Sequence, residues 1–235
     1  LVLSRNCYPE IYVMELANGD LSRVTNNAQA IDTEAVWSRD GNEIYFTSDR
    51  GGRPQIYKVS ANGGRAERIS FEGNYNASPD LSPDGSKLAM VHGANGGFYI
   101  ALQDLKTGAM QVLTDSGRAE SPSFAPNGQM ILYATEQKGS GVLAAVSVDG
   151  RIHQRLSESG TVVREPAWSP RKKSFISGEL VMNRYTFSAL HISLFLFNAC
   201  SSHATKDGTD DVLDEERNGV RNSGENGQGR DGSDV

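Results

Sequence analysis

The sequence predicts an all-β protein, a partial β-propeller with a disordered C-terminal tail, and three observations support this fold class. Related segments recur along the 235 residues with a period of about 44. Each unit contains short runs of alternating apolar and polar residues, typical of β-strands, between clusters of Gly, Pro, Asn and Asp. Three or four short antiparallel strands in a unit of this length are the pattern of a propeller blade.

One apolar position shows the repeat most clearly. The segments AVWSRDG, PDLSPDG, PSFAPNG and PAWSP align on it, and its residues follow one another at intervals of 44, 43 and 44. We assign this position to the innermost strand of each blade and expect its side chain to wedge into the core between neighbouring blades. The residues concerned are Trp37, Leu81, Phe124 and Trp168.

Two further patterns have the same period. The runs VMELANG, KVSANG, LQDLKTG and VSVDG each end in glycine, and the segments SRVT, ERIS, QVLT and QRLS each close a unit. Glycine at the end of a turn adopts a positive φ at no steric cost, so we expect tight turns at these places. The four glycines are Gly19, Gly63, Gly108 and Gly150.

These patterns predict the domain organisation. Residues 1–170 form the propeller portion, and residues 171–235 lie outside it. Propellers close with about four to eight blades, so we expect this arc to be incomplete and the chain to be a fragment. The propeller portion divides into a partial blade at 1–31, whole blades at 32–73, 74–117 and 118–160, and the opening of a further blade at 161–170.

The tail differs in composition from the repeats. Residues 182–200 resemble a lipoprotein signal, with a basic start, an apolar stretch and a small residue before Cys200. The apolar core at 187–197 is shorter than the roughly 20 residues of a membrane-spanning helix, so no direct membrane span is expected. The acidic remainder, rich in Gly, Asn and Ser, is predicted to be disordered. This tail is either a genuine extension or the product of a frame error or read-through.

Charge and motifs exclude several functions. The chain carries 29 Asp and Glu against 23 Lys and Arg, and no basic stripe recurs, which argues against nucleic-acid binding. The run at 50–53, RGGR, is predicted to be a hairpin turn. Because Cys7 and Cys200 lie in segments of such different composition, we expect both to be unpaired.

Nothing in the sequence indicates catalysis. The four histidines share no metal-ligand spacing and are expected to be solvated, and there is no nucleophile elbow, phosphate loop or dinucleotide fingerprint. We therefore expect no catalytic residues, no metal and no cofactor. The enzymatic alternative is the propeller cap of a prolyl-oligopeptidase-like peptidase, whose catalytic domain would need residues that this sequence does not contain.

A protein-binding function suits the architecture better. The loops that lead into the four inner strands should open on one face, and they are polar, with a carboxylate in three of them. Ordinary solvated turns are the other interpretation of these loops. The candidate partner-binding residues are Thr33, Glu34, Ala77, Ser78, Glu120, Ser121, Arg164 and Glu165.

The amino-acid sequence of the repeats resembles that of the carboxy-terminal propeller in the TolB family of the bacterial Tol-Pal system. The residues that carry the resemblance are SDRGGRPQIYKV at 48–59 and the closing PAWSP at 166–170, and the resemblance extends over residues 7–170. It implies a six-bladed ring, of which this chain would hold about 3.5 to 4 blades. It also implies an amino-terminal domain that is absent here.

The resemblance also implies a function. Members of the family are non-enzymatic periplasmic proteins that bind the peptidoglycan-associated lipoprotein Pal and support outer-membrane integrity and invagination during division. They contact other Tol-Pal components through the amino-terminal domain. The family's Thr-Glu pair before the inner-strand aromatic, which is a contact with Pal, corresponds to Thr33 and Glu34 here. Ala77, Ser78, Glu120 and Ser121 match only by their position in the repeat.

Overall fold

Four antiparallel sheets make up the part of the chain that the structure, a computed structural model, describes: residues 1–5, 7–137, 139–158 and 163–168. Sheet 1 contains β1 (Val2–Ser4), β2 (Pro9–Met14) and β3 (Leu21–Arg23). Sheet 2 contains β4 (Asp32–Trp37), β5 (Glu43–Ser48), β6 (Gln55–Ser60) and β7 (Glu67–Arg68). Sheet 3 contains β8 (Asn76–Leu81), β9 (Lys87–Ala94), β10 (Gly97–Asp104) and β11 (Met110–Val112). Sheet 4 contains β12 (Glu120–Phe124), β13 (Met130–Gln137), β14 (Ser140–Ser147) and β15 (His153–Glu158).

Neighbours in each sheet are also neighbours in sequence, and every pair of strands is antiparallel. This is the meander of a propeller blade, so the predicted all-β propeller class is confirmed. In the described residues sheet 1 has three strands, which correspond to the outer three strands of the other sheets. Residues 169–235, with the predicted signal-like segment and disordered tail, lie outside the described residues.

The core consists of three apolar layers, each between two consecutive sheets. The layer between sheets 1 and 2 includes Ile11 and the fully buried Phe46. The layer between sheets 2 and 3 includes Ile56 and Leu88, and the third layer includes Ile131. Because the apolar residues of each sheet face its neighbour, the sheets stack face to face as blades do.

At two of the four repeat positions the inner-strand side chain packs between neighbouring sheets, as expected. Phe124 is buried in the layer between sheets 3 and 4, and Leu81 packs against the layer that contains Tyr45 of β5. Trp37 is 51% exposed and Trp168 is 39% exposed, so neither side chain belongs to the core of the described residues. Trp168 lies in the segment 163–168, which forms no strand.

The S-x-D-G turns have a shared chemistry. Ser82 Oγ donates to Asp84 Oδ1 at 2.5 Å and accepts the backbone N–H of Lys87 at 2.9 Å, and Gly85 closes the turn with φ +73°. Asp40 occupies the same position in sheet 2, where Ser38 Oγ donates to it at 2.6 Å. Hydrogen bonds to the carboxylate lower the pKa of Asp40 and of Asp84 to about 2. The bond from the serine hydroxyl has the largest effect, and the bond from a backbone N–H has the next largest.

The segments that close each unit end in a Ser or Thr with a structural role. Its hydroxyl accepts the N–H of an isoleucine on the neighbouring strand, in a contact that recurs in sheets 1, 2 and 3. The hydroxyl thus satisfies a buried donor beyond the end of the regular ladder. The pairs are Ile11 N with Thr25 Oγ1 (3.0 Å), Ile56 N with Ser70 Oγ (2.9 Å), and Ile100 N with Thr114 Oγ1 (3.0 Å).

The RGGR run forms the predicted hairpin turn between β5 and β6, and Arg50 gives it a structural role. Its guanidinium lies 5.2 Å from the ring centre of Phe46 and 5.0 Å from that of Tyr57. It also pairs with the buried carboxylate of Asp32 at 2.7 Å. Arg50 therefore contributes to the core of sheet 2 through both stacking and charge.

Two sequence expectations were wrong elsewhere in the fold. Cys7 is disulfide-bonded rather than unpaired, since pairing depends on the proximity of Cβ atoms and not on the composition of the segments; Cys200 lies outside the described residues. His92 is buried rather than solvated. Its Nδ1 lies 2.9 Å from Asn76 Oδ1, and burial lowers its pKa.

Candidate functional site

A cavity of about 730 Å³ lies where the loops enter the inner strands of sheets 3 and 4. Because strands alternate in direction, these loops lie at the opposite end of the sheets from the S-x-D-G turns. Thr33 and Ala77 do not line this loop cavity; Thr33 is half-buried and Ala77 is buried. The structure brings the other six candidate residues together around it: Glu34, Ser78, Glu120, Ser121, Arg164 and Glu165.

Four of these six residues share an unusual backbone conformation. Their φ angles are positive although none is glycine: 54° at Glu34, 51° at Ser78, 53° at Ser121 and 47° at Glu165. In sheets 2, 3 and 4 the residue lies at a shift of register in the inner strand. Such bulges redirect side chains, and strained residues of this kind cluster at functional sites. Here the four positive-φ residues recur once in each repeat, and all of them line the cavity.

The carboxylate of Glu34 is engaged by its neighbours. Ser78 donates to it twice, from Oγ to Oε1 at 2.6 Å and from the backbone N–H to Oε2 at 2.9 Å. Thr47 Oγ1 donates to Oε2 at 2.6 Å. Glu34 thus joins sheet 2 to sheet 3 at the edge of the cavity.

An exposed ion pair lies on another side of the cavity. Arg118 Nη1 is 2.5 Å from Glu136 Oε1, and both side chains are largely exposed. Glu120 is exposed close by, and its side chain forms no hydrogen bond or ion pair with any described residue. With Arg164 and Glu165, the cavity therefore presents charges of both signs, an arrangement that suits a protein partner with charged groups of its own.

Two aromatic rings form an apolar part of the wall. Tyr75 and Phe98 meet edge to face with their ring centres 5.1 Å apart, and Phe98 is 47% exposed. Burial, and then the negative charge of Glu34, raises the pKa of the Tyr75 hydroxyl. This phenol is therefore neutral near pH 7, and it can donate a hydrogen bond.

Sequence reasoning missed four of these wall residues, namely Tyr75, Phe98, Arg118 and Glu136. Phe98 and Arg118 meet because the hairpin between β9 and β10 is joined to the loop before β12. The joining bonds run from Phe98 N to Gly117 O and from Ala119 N to Phe98 O, both 2.9 Å long. The repeat could have identified these loops, but only three-dimensional contact identifies the residues in them.

No group of three His, Cys, Asp or Glu side chains that could hold a metal ion occurs within the described ranges. In the same part of the chain, no helix has the length and apolar character needed to cross a membrane.

The comparisons with known proteins agree with this architecture. A protein from Nitrosospira multiformis named Tol-Pal system protein TolB is 49% identical over 120 residues, which are 50% of this chain and 28% of that protein. The crystal structure of TolB from Acinetobacter baumannii superposes with a TM-score of 0.66 at 43% identity, covering 72% of this chain and 43% of that one. The chain thus spans less than half the length of either relative. Their names agree with the expectation that it is not an enzyme.

For the peptidase alternative, the comparison with solved structures shows only a similar fold. A puromycin-hydrolyzing peptidase from Mycobacterium tuberculosis superposes with a TM-score of 0.51 at 17% identity, over 29% of its length. Such low identity indicates a shared propeller architecture and nothing about activity. By contrast, the TolB beta propeller domain family matches residues 1–172, most of the sequence. The chain belongs to the TolB beta propeller domain family.

Proposed function

We propose that the chain is a non-enzymatic, protein-binding propeller of the Tol-Pal system, located in the periplasm, and that its partner is the lipoprotein Pal. Membership of the TolB propeller family supports this proposal. In this role it supports outer-membrane integrity and invagination during cell division. We assign contacts with other Tol-Pal components to the amino-terminal domain of the family.

The observation that carries the proposal is the gathering of six candidate residues around the loop cavity. These residues come from four loops that are separated in sequence, and each loop occupies the equivalent position in its repeat. The cavity combines an exposed aromatic ring, Phe98, with exposed charges of both signs, including Glu120 and Arg118. A mixture of aromatic and charged groups of this kind is typical of protein interfaces.

A calorimetric titration tests the proposal. The periplasmic domain of Pal is titrated into the full chain and into a Glu120→Ala variant. Loss of an exposed carboxylate that contacts a partner should weaken binding by about 1 to 3 kcal/mol. The effect on folding should be small, because Glu120 bonds to no described side chain.

The matched control is Asn62→Ala, in the exposed turn after β6 at the opposite end of the sheets. The affinity of the Asn62→Ala variant for Pal should equal that of the unaltered chain. Absence of binding by the unaltered chain, or equal affinities for the two variants, would contradict the proposal that Pal occupies the loop cavity.

A further inference from the structure

We propose that Asn95 is a site of spontaneous deamidation, at which the side-chain amide is lost and an aspartyl or isoaspartyl residue forms. Asparagine followed by glycine is the sequence in which this reaction meets least steric hindrance, because glycine has no side chain. Three of the Asn-Gly pairs lie in the same tripeptide, Ala-Asn-Gly, so a difference in rate between them comes mainly from structure. The described residues include four such pairs, which begin at Asn18, Asn62, Asn95 and Asn127.

The reaction takes place between the Asn95 side chain and the backbone of Gly96. The Gly96 nitrogen, after loss of its proton, attacks Cγ of Asn95, and ammonia leaves. The product is a five-membered succinimide, which water opens at either carbonyl to give an aspartyl or an isoaspartyl residue. Water is consumed, ammonia is released, and a carboxylate replaces the amide. The glycine nitrogen must therefore be free of a hydrogen bond, and it must be able to turn towards Cγ.

The glycine nitrogen is free at Asn95. Asn95 and Gly96 are both exposed, and they form the turn between β9 and β10. The strands pair again at Ala94 and Gly97, directly on either side of the turn. No described residue bonds to the Asn95 side chain or to the Gly96 N–H. Neither reacting group at this turn therefore has to give up a partner among the described residues.

The other three pairs differ, because each glycine N–H donates to a backbone carbonyl within its own turn. The side chains of Asn18 and Asn127 are engaged as well, since each Oδ1 accepts a backbone N–H at 3.0 Å. Attack at any of these three sites requires that the bond of the glycine is broken first. The bonds run from Gly19 N to Glu15 O, from Gly63 N to Ser60 O and from Gly128 N to Ala125 O, each 2.8 Å long.

The conformation of the turn also allows the attack. The φ angle is 48° at Asn95 and 76° at Gly96, the pair of positive values that defines a type I′ turn. Rotation of the peptide group between the two residues gives a type II′ turn, in which ψ of the first residue is roughly −120°. This rotation brings the Gly96 nitrogen towards the Asn95 side chain. It breaks no hydrogen bond to a described residue, because the rotating group makes none.

The modified residue would lie beside the loop cavity. Gly97 and Phe98 follow the turn directly, and Phe98, a wall residue, is bonded to Gly117 and to Ala119. Deamidation adds a negative charge at this end of the hairpin, and the isoaspartyl product also adds a carbon to the backbone of the turn. The change therefore occurs next to the proposed binding face, whereas the reaction itself does not depend on the proposed function.

Peptide mapping after prolonged incubation tests the proposal. The full chain is kept at mildly alkaline pH in water enriched in heavy oxygen, and mass spectrometry follows the exchange of amide for carboxylate at each Asn-Gly pair. Asn95 should convert roughly two- to tenfold faster than Asn18, Asn62 and Asn127, because a hydrogen bond must break at each of those three. The product at Asn95 should carry an oxygen from the water, and chromatography should resolve aspartyl and isoaspartyl forms of the peptide.

The control is the same chain unfolded in guanidinium chloride. There the hydrogen bonds are lost, and the three Ala-Asn-Gly pairs, at Asn18, Asn62 and Asn95, should convert at similar rates. In the folded chain, a rate at Asn62 or Asn18 equal to or above that at Asn95 would overturn the proposal. A preference for Asn95 that persists unchanged in the unfolded chain would also overturn it, since the preference would then come from the flanking sequence and not from the turn.

Discussion

The carboxylate of Asp80 accepts the backbone N–H of Phe124, 44 residues further along the chain, at 2.6 Å. The other carboxylate oxygen accepts the N–H of Leu81 at 3.0 Å. Asp80 therefore joins the inner strand of sheet 3 to that of sheet 4, one period apart. With the bonds of Glu34 to Ser78, it shows that side chains as well as apolar layers hold consecutive sheets together.

Replacement of Asp80 should lower stability. In Asp80→Asn the amide presents a donor in place of one acceptor, so the half-buried N–H of Phe124 or that of Leu81 loses its partner. An unsatisfied donor of this kind costs about 1 to 3 kcal/mol. Urea denaturation should show a lower free energy of unfolding for Asp80→Asn than for Asp115→Asn, an exposed control. Equal midpoints for the two variants would mean that the bond to Phe124 contributes nothing.

The Ser or Thr at the end of each unit should stabilise the fold through the hydrogen bond of its hydroxyl and not through the size of its side chain. Thr114→Val keeps the shape of the side chain but leaves the N–H of Ile100 unsatisfied in the core. We expect a loss of about 1 to 3 kcal/mol in the free energy of unfolding. The reverse exchange, Val112→Thr, at an exposed position on the same segment, should change it by less than about 0.5 kcal/mol. Similar effects for the two would disprove the role of the hydroxyl.

His92 should make stability depend on pH. Burial lowers its pKa in the folded chain, and the negative charge of Glu72 opposes this only in part. As the pH falls below about 6.5, the unfolded chain therefore binds a proton that the folded chain does not, and the free energy of unfolding falls. Thermal melts across this range should show a smaller decline for His92→Gln. Parallel curves for variant and unaltered chain would assign the dependence to other groups.

The sequence repeat predicted most of the fold, because recurring turns and apolar residues indicate the order of the strands in each sheet. The repeat failed for His92 and Cys7, because the spacing of a repeat does not report burial or disulfide pairing.

The candidate site was predicted in outline by the same repeat. Loops at equivalent positions in successive sheets meet at one end, which is why six candidates line one cavity. The repeat could not show that the carboxylate of Glu34 is taken up by Ser78 and Thr47, or that Phe98 and Arg118 belong to the same wall. Those facts depend on side-chain geometry and on a hairpin of sheet 3 that reaches the next loop.

Hydrogen–deuterium exchange of the full chain with and without the periplasmic domain of Pal tests the central claim most directly, because it maps the bound face residue by residue. We predict slower exchange in the loops that line the cavity, at 117–121 and 163–165, and unchanged exchange in the turns at 38–42 and 82–86 at the opposite end of the sheets. Protection of those turns instead, or no change anywhere on addition of Pal, would contradict the account.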